Sequence, residues 1–180
     1  MASKSRSVEI LCAGFGGQGI IFMGKLLAQA GLNANRKVTW MPSYGVEVRG
    51  GTAYSVTKIS EGDIASPIRT RPDIVVAMNR PSLEKYMPVL KEGGVLIANK
   101  TLVGDYDKPK GATVINAPLT DWAVKLGDVR IANIIAVGIV LGRVKLISMK
   151  HALGALDDLL KGKSELFLLN KKALERGFRL

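Results

Sequence analysis

The chain has 180 residues but one cysteine, Cys12, and one histidine, His151. A single thiol excludes an internal disulfide and cannot supply the four thiolates of an iron–sulfur cluster. A lone imidazole argues against a zinc site built by this chain. Any metal or redox centre in its chemistry is therefore expected on another chain. Aromatic residues are few, 6% against 47% hydrophobic, so the core has to be built from Val, Ile, Leu and Ala. That is the composition of parallel strands buried under helices. Long apolar runs are missing too. The longest uncharged one, "IANIIAVGIVLG" (Ile131–Gly142), falls short of the ~20 residues of a membrane helix and reads as a buried helix. "MASKSRS" holds no apolar export segment, and the expected location is the cytoplasm, without membrane contact.

Acidic residues are also in deficit: 15 Asp+Glu face 26 Lys+Arg, a net charge of +11. Such an excess invites a nucleic-acid reading. The cations, however, are scattered (Lys25, Arg36, Lys37, Arg69, Arg71, Lys108, Lys110, Lys171, Lys172), with no dense run interleaved with aromatics. The expectation is no nucleic-acid binding, and attraction instead to acidic protein partners or a phosphorylated cofactor.

What is present is an alternation of short apolar strands and helices. "SVEILCA" (Ser7–Ala13) reads as a first buried strand and Ile20 to about Asn33 as a helix with Ile20, Met23, Leu27 and Ala30 on one face. "KVTWM" (Lys37–Met41) is a second strand, expected to end at Pro42. "TAYSVTKIS" (Thr52–Ser60) follows with no helix between, which admits an antiparallel pair. Strands are predicted at Asp73–Met78, Gly93–Asn99 and Ala112–Ala117, with a short helix from Pro81 capped by Asn79 and another opened by Pro118. The remainder reads as helical: Asn133–Leu146, Ser148–Leu160 capped by Ser148, and Ser164–Phe178 capped by Ser164. The 180 residues are expected to form one three-layer, Rossmann-like α/β domain. Its sheet is mostly parallel with one antiparallel strand, and its C-terminus is helical.

Two loops stand out. In "AGFGGQGIIF", Gly14, Gly16 and Gly19 match G-x-G-x-x-G between a strand and a helix, with Gly17 and Gln18 inside the motif. Glycines there let backbone N–H groups approach a phosphate at the positive end of the helix. They also serve a strand that merely turns tightly into a closely packed helix. A nicotinamide site needs an acid at the end of the second strand. Here that strand runs into "TWMPSYG", and Glu47 comes several residues late. The second loop, "PSYGVEVRGGTA", holds Ser43, Tyr44, Glu47, Arg49, Gly50, Gly51 and Thr52. Alternation puts Glu47 and Arg49 on one side of an extended segment. They could pair with each other, or Arg49 could take an acidic group bidentately. An incidental surface ion pair remains the plain alternative. If the first two strands are parallel neighbours, both loops open on one crevice.

Together "GFGGQGIIFMGKLLAQA" and "TWMPSYGVEVRGGTA", continued by "PDIVVAMNRPSLEKYMPVLKEGGVLIAN", resemble the gamma subunit of 2-oxoacid:ferredoxin oxidoreductases, most of all the 2-oxoglutarate branch. The resemblance implies an enzyme that decarboxylates a 2-oxoacid on thiamine diphosphate, passes electrons through iron–sulfur clusters to ferredoxin, and transfers the acyl group to coenzyme A. It implies that thiamine diphosphate and the clusters lie in alpha-type and beta-type subunits or a ferredoxin-like delta subunit. This chain would hold no cofactor alone. Its candidate contact residues toward coenzyme A or a neighbouring subunit are Gly14, Gly16, Gly17, Gln18, Gly19, Ser43, Tyr44, Glu47, Arg49, Gly50, Gly51 and Thr52, with no catalytic residue and no metal ligand. Cys12 reads as a core residue and His151 as a surface one. A docking module without ligand contact and a stand-alone nucleotide-dependent reductase stay open as alternatives. An apolar face left bare in isolation would favour a homodimer.

Overall fold

The computed structural model describes residues 6–43, 52–66 and 71–180. Six strands form one sheet: β1 (Ser7–Phe15), β2 (Lys37–Ser43), β3 (Thr52–Ser60), β4 (Ile74–Ala77), β5 (Val95–Asn99) and β6 (Thr113–Ala117). Their spatial order is β2-β3-β1-β4-β5-β6. β1, β4, β5 and β6 pair in parallel, whereas β3 runs antiparallel to both β1 and β2. The reversed strand is the one that follows β2 without an intervening helix.

The alternation of side chains across the sheet builds two cores. Ile10 and Cys12 of β1, Ile74 and Val76 of β4 and Ile97 of β5 point to one face. Leu11, Ala13, Val75, Ala77, Leu96 and Ala98 point to the other. The first face is covered by α1 (Ile20–Asn33), α5 (Ala132–Arg143), α6 (Met149–Leu160) and α7 (Ser164–Phe178). The second is covered by the shorter α2 (Arg80–Tyr86) and α3 (Lys100–Val103). α4 (Leu119–Leu126) buries Leu119 and Ala123 in the first core. The apolar run read as a buried helix is α5, in which every residue from Ala132 to Leu141 is buried. It lies so close to α7 that a Cβ on Gly177 would overlap the Ile135 carbonyl.

Several boundaries differ from the sequence expectation. β1 continues through Gly14 to Phe15, because Phe15 still pairs with Thr52 of β3. β2 does not stop at Pro42, which pairs with Ser55 inside the strand. β2 is an edge strand, where a missing N–H breaks no ladder. α5 ends at Arg143, beyond which Val144 turns extended and buries on its own. Ser148 caps α6 as expected, its Oγ accepting from His151 N–H while His151 Nδ1 accepts from Ser148 N–H. Ser164 does not cap α7: it is already the first helical residue, with Lys163 before it and no side-chain cap. The single turn α3 carried no sequence signal.

Candidate functional site

α1 leaves β1 to cover one face of the sheet, and α2 leaves β4 to cover the other. The carboxyl ends of β1 and β4, adjacent in the sheet, are therefore its topological switch point, where α/β folds open a crevice. The glycine loop sits there. Its glycines have different jobs. A Cβ on Gly14 would lie 2.6 Å from Gln18 Oε1 and from Ile20 Cδ1, so Gly14 serves close packing. Gly19, the residue before α1, has φ 71°, and a Cβ there would overlap the Asn133 carboxamide. Gly16 and Gly17 are open among the described residues: a Cβ on either would meet none of their atoms within 4 Å. Close packing thus explains Gly14 and Gly19, and leaves Gly16 and Gly17 without a close neighbour among the described residues.

Gln18 folds back into the loop. Its Oε1 accepts from Phe15 N–H at 2.7 Å and from Asn79 Nδ2 at 2.9 Å, and its Nε2 donates to the Met78 carbonyl at 3.4 Å. It thereby bridges the ends of β1 and β4. Asn79, 2% exposed, uses its Oδ1 to accept from Ser82 N–H at 2.9 Å, the expected cap of α2. Asn99 ends β5 in the same way, donating to the Met78 carbonyl at 3.3 Å and to Thr120 Oγ1 at 2.9 Å. Asn133, in the first turn of α5, donates to the Gly19 carbonyl at 3.3 Å, and its buried Oδ1 has no partner among the described residues. Among the described residues the rim is a framework of amides and hydroxyls with no titratable group in the network. Its field comes from the backbone: α1 has neither a side-chain cap nor an acid in its first turn. Its orphan N–H groups and positive end face the opening beside Gly16 and Gly17.

The second loop starts and ends on this rim. β1 and β2 are not neighbours as the shared-crevice argument assumed; β3 lies between them. Because β3 is reversed, it begins where β1 ends: Thr52 pairs with Phe15, and Ser43 at the end of β2 pairs with Tyr54. Gly14, Gly16, Gly17, Gln18, Gly19, Ser43 and Thr52 are thus brought to one edge. Tyr44, Glu47, Arg49, Gly50 and Gly51 lie outside the described residues. Sequence reading passed over Asn99, Thr120 and Asn133. The signal for Asn99 was the same as for Asn79, an amide closing an apolar strand. Asn133 had none.

Elsewhere the chemistry is quiet. Cys12 is 1% exposed and burial pushes its thiol up to about 12, so it stays protonated. Among the described residues no group of three or more His, Cys, Asp or Glu could hold a metal ion, and no helix is long and apolar enough to cross a membrane. With one cysteine, the chain does not fit an iron–sulfur cluster.

Residues 9–180 match the family described as pyruvate ferredoxin/flavodoxin oxidoreductase. A 2-oxoglutarate synthase subunit, KorC, of Methanocaldococcus jannaschii is 35% identical over 178 residues, covering 96% of this chain and 92% of that protein. The gamma subunit of a keto/oxoacid ferredoxin oxidoreductase from Geobacter sulfurreducens superposes with a TM-score of 0.83 at 29% identity, over 96% of each chain. A 2-oxoglutarate:ferredoxin oxidoreductase from Magnetococcus marinus, solved with 2-oxoglutarate, coenzyme A and succinyl-CoA, gives a TM-score of 0.87 at 25% identity, over 98% of this chain but 31% of that one. The chain also spans only about a third of the length of the ketoisovalerate oxidoreductase subunits VorA that it matches. This protein belongs to the pyruvate ferredoxin/flavodoxin oxidoreductase family.

Proposed function

We propose that this chain is the gamma-type subunit of a thiamine-dependent 2-oxoacid:ferredoxin oxidoreductase, with 2-oxoglutarate as the oxoacid. Its glycine-loop rim seats phosphate groups of coenzyme A. The observation that carries the reading is the uncapped N-terminus of α1 beside Gly16 and Gly17, where an anion can meet backbone N–H groups without displacing any atom of the described residues. The relative bound to coenzyme A and succinyl-CoA supports the ligand, and KorC supports the substrate branch. In such a complex thiamine diphosphate and the clusters belong to alpha-type and beta-type partner subunits, with ferredoxin as the final acceptor. Coenzyme A, when bound, supplies the thiol that accepts the acyl group. This chain's own part is binding and orientation. The α1 backbone holds the anionic end of the ligand. Gln18 and Asn79 fix the loop that presents those N–H groups. The neutral amide rim leaves the phosphate charge to be balanced by the helix and by the protein's general positive excess. The working compartment is the cytoplasm.

The test is co-expression with the partner subunits. The assembled complex is expected to oxidise 2-oxoglutarate in preference to pyruvate and 2-ketoisovalerate, and the chain alone to oxidise none. Gly16→Val, which puts side-chain atoms into the open space, is expected to weaken coenzyme A binding to the complex by tenfold or more, read by calorimetry, with assembly intact. A docking-only role is favoured by one feature, the way Gln18 closes the crevice floor with the protein's own side chain. Unchanged coenzyme A affinity in the Gly16→Val complex would decide for it.

A further inference from the structure

At the opposite edge of the sheet from the glycine loop, three cavities of about 610, 280 and 360 Å³ run side by side. All three include Val8 of β1; Asp73 and Lys91 are shared by the first and second, and Arg143 by the second and third. They form one groove along the amino ends of the central strands. Two of its acids are already neutralised inside it: Glu9 by Lys58 at 3.3 Å and Asp73 by Lys91 at 2.6 Å. Among the described residues Arg6, Arg71 and Lys145, which also line the groove, make no ion pair; of its other acids Asp63 meets Lys37 from outside the groove at 4.0 Å, and Glu92 is left over. The uncompensated charge of this edge is positive.

The groove is also where the two ends of the described chain meet. Arg143 lines one cavity with Arg6 and Ser7, and its Nη2 donates to the Leu180 carbonyl at 3.1 Å. α7 reaches this edge packed against α5, with Gly138 against Leu174 and Gly142 against Phe178. In the VorA relatives and in the Magnetococcus structure, the segment alike to this chain is joined to about twice its length of further polypeptide. The first described residue, Arg6, and the last, Leu180, both stand at this edge.

We propose that this edge, centred on Arg143, is the surface on which the chain docks to the partner subunit corresponding to the remainder of those longer relatives, and that the facing surface of that subunit is acidic. The proposal rests on the subunit reading given above. It assigns opposite edges of one sheet to attachment and to ligand, so that the glycine loop points away from the anchor. The groove's three unpaired cations, Arg6, Arg71 and Lys145, then gain partners on assembly, an interaction that salt screens.

Charge reversal separates the two edges. In co-expression with the partner subunits, the double variant Arg71→Glu/Lys145→Glu is expected to reduce the amount of this chain that co-purifies at physiological salt by tenfold or more. Arg71→Gln/Lys145→Gln should show an intermediate loss. Gly16→Val is expected to co-purify as the wild type does, and the wild-type complex to shed this chain as salt is raised. Both charged positions are exposed, and thermal melts of the variants alone verify that folding is unchanged. Normal co-purification of the Glu double variant, loss of assembly in Gly16→Val instead, or a salt-indifferent complex would each overturn the proposal and leave the subunit reading standing. A wild-type chain that joins no complex at all would bring down the subunit reading and the proposal with it.

Discussion

Asn79 is one of the residues that tie the glycine loop to the rest of the sheet, and its replacement has a calculable consequence. Asn79→Ala removes two hydrogen bonds of 2.9 Å, the acceptor for Ser82 N–H and the donor to Gln18 Oε1. At 2% exposure, neither is replaced by water. Loss of a helix cap costs about 1 kcal/mol and loss of a neutral hydrogen bond about 1 kcal/mol. At ~2–4 °C per kcal/mol for a domain of this size, the melting midpoint falls by about 4–8 °C. Asn79→Asp separates the two contributions. It keeps the acceptor for Ser82 and places a negative charge at a helix N-terminus, which alone would stabilise. It also turns an oxygen toward Gln18 Oε1, where the native side chain presents Nδ2. The expected result is a net loss of about 1 kcal/mol despite the better cap. That loss should vanish in a Gln18→Ala background, giving a coupling of about 0.5–1.5 kcal/mol in a double-mutant cycle followed by denaturant melts. An Asp variant as stable as the wild type, or strict additivity with Gln18→Ala, would refute the claim that Gln18 and Asn79 form one pin.

Three further outcomes follow from packing, ionisation and capping. Gly→Ala within a helix ordinarily gains up to about 1 kcal/mol, and Gly154→Ala on α6, whose Cβ would meet only the Asn33 side chain at 3.3 Å, should approach that gain. Gly177→Ala should instead lose about 1–3 kcal/mol, because the Ile135 carbonyl in its way is backbone and α5 and α7 must part; thermal melts read both signs. Burial raises the Cys12 thiol to about 12 from its ordinary 9.0, so the unfolded state loses its proton first as pH rises. The stabilisation is complete below pH 9.0 and drains away toward pH 12, with a slope reaching about 1.4 kcal/mol per pH unit. Cys12→Ala should flatten that part of a stability profile, and a profile equally steep without the thiol would count against the assignment. Ser148→Ala removes the Oγ that accepts from His151 N–H and should cost about 1 kcal/mol in a denaturant melt, far from the glycine loop and without effect on coenzyme A binding.

The strands were legible wherever an apolar run ended at a glycine or an amide: β4 and β5 fall inside the predicted stretches, and α1 has the predicted bounds. β1 ran two residues further than read because Gly14 and Phe15 owe their conformation to pairing with β3, a contact 39 residues away in sequence at Gly14–Ala53 and invisible locally. Pro42 misled for a related reason. Its effect depends on whether the strand has a neighbour on that side, and nothing in "KVTWMPS" says that β2 is an edge. Ser164 met the sequence rule for a cap, yet α7 begins on it, with a backbone bond from Phe167 N–H to the Lys163 carbonyl. At the site, the glycine spacing was readable but the division of labour within it was not. Gly14 and Gly19 are constrained by Ile20 and Asn133, and the second of these is contributed from 114 residues downstream.

The position of β3 explains why a dinucleotide-like glycine motif comes without the acid that usually accompanies it. In a dinucleotide fold the strand beside β1 is parallel to it, and its carboxyl end carries the ribose ligand next to the glycine loop. Here the neighbour is reversed, so the residue facing Phe15 is Thr52 at the start of a strand, not the end of one. The carboxyl end of β2 is displaced outward by one strand spacing, ~4.8 Å in the sheet. An acid placed at Ser43 would stand a full strand away from where a ribose bound over Gly16 would lie. The phosphate recognition proposed for this rim would survive the rearrangement, since it would depend only on β1, the loop and α1. Ribose recognition by the usual carboxylate does not. A chain that keeps the first and loses the second is suited to a ligand held by its phosphates, with the rest of that ligand left free to reach a reaction centre on another subunit.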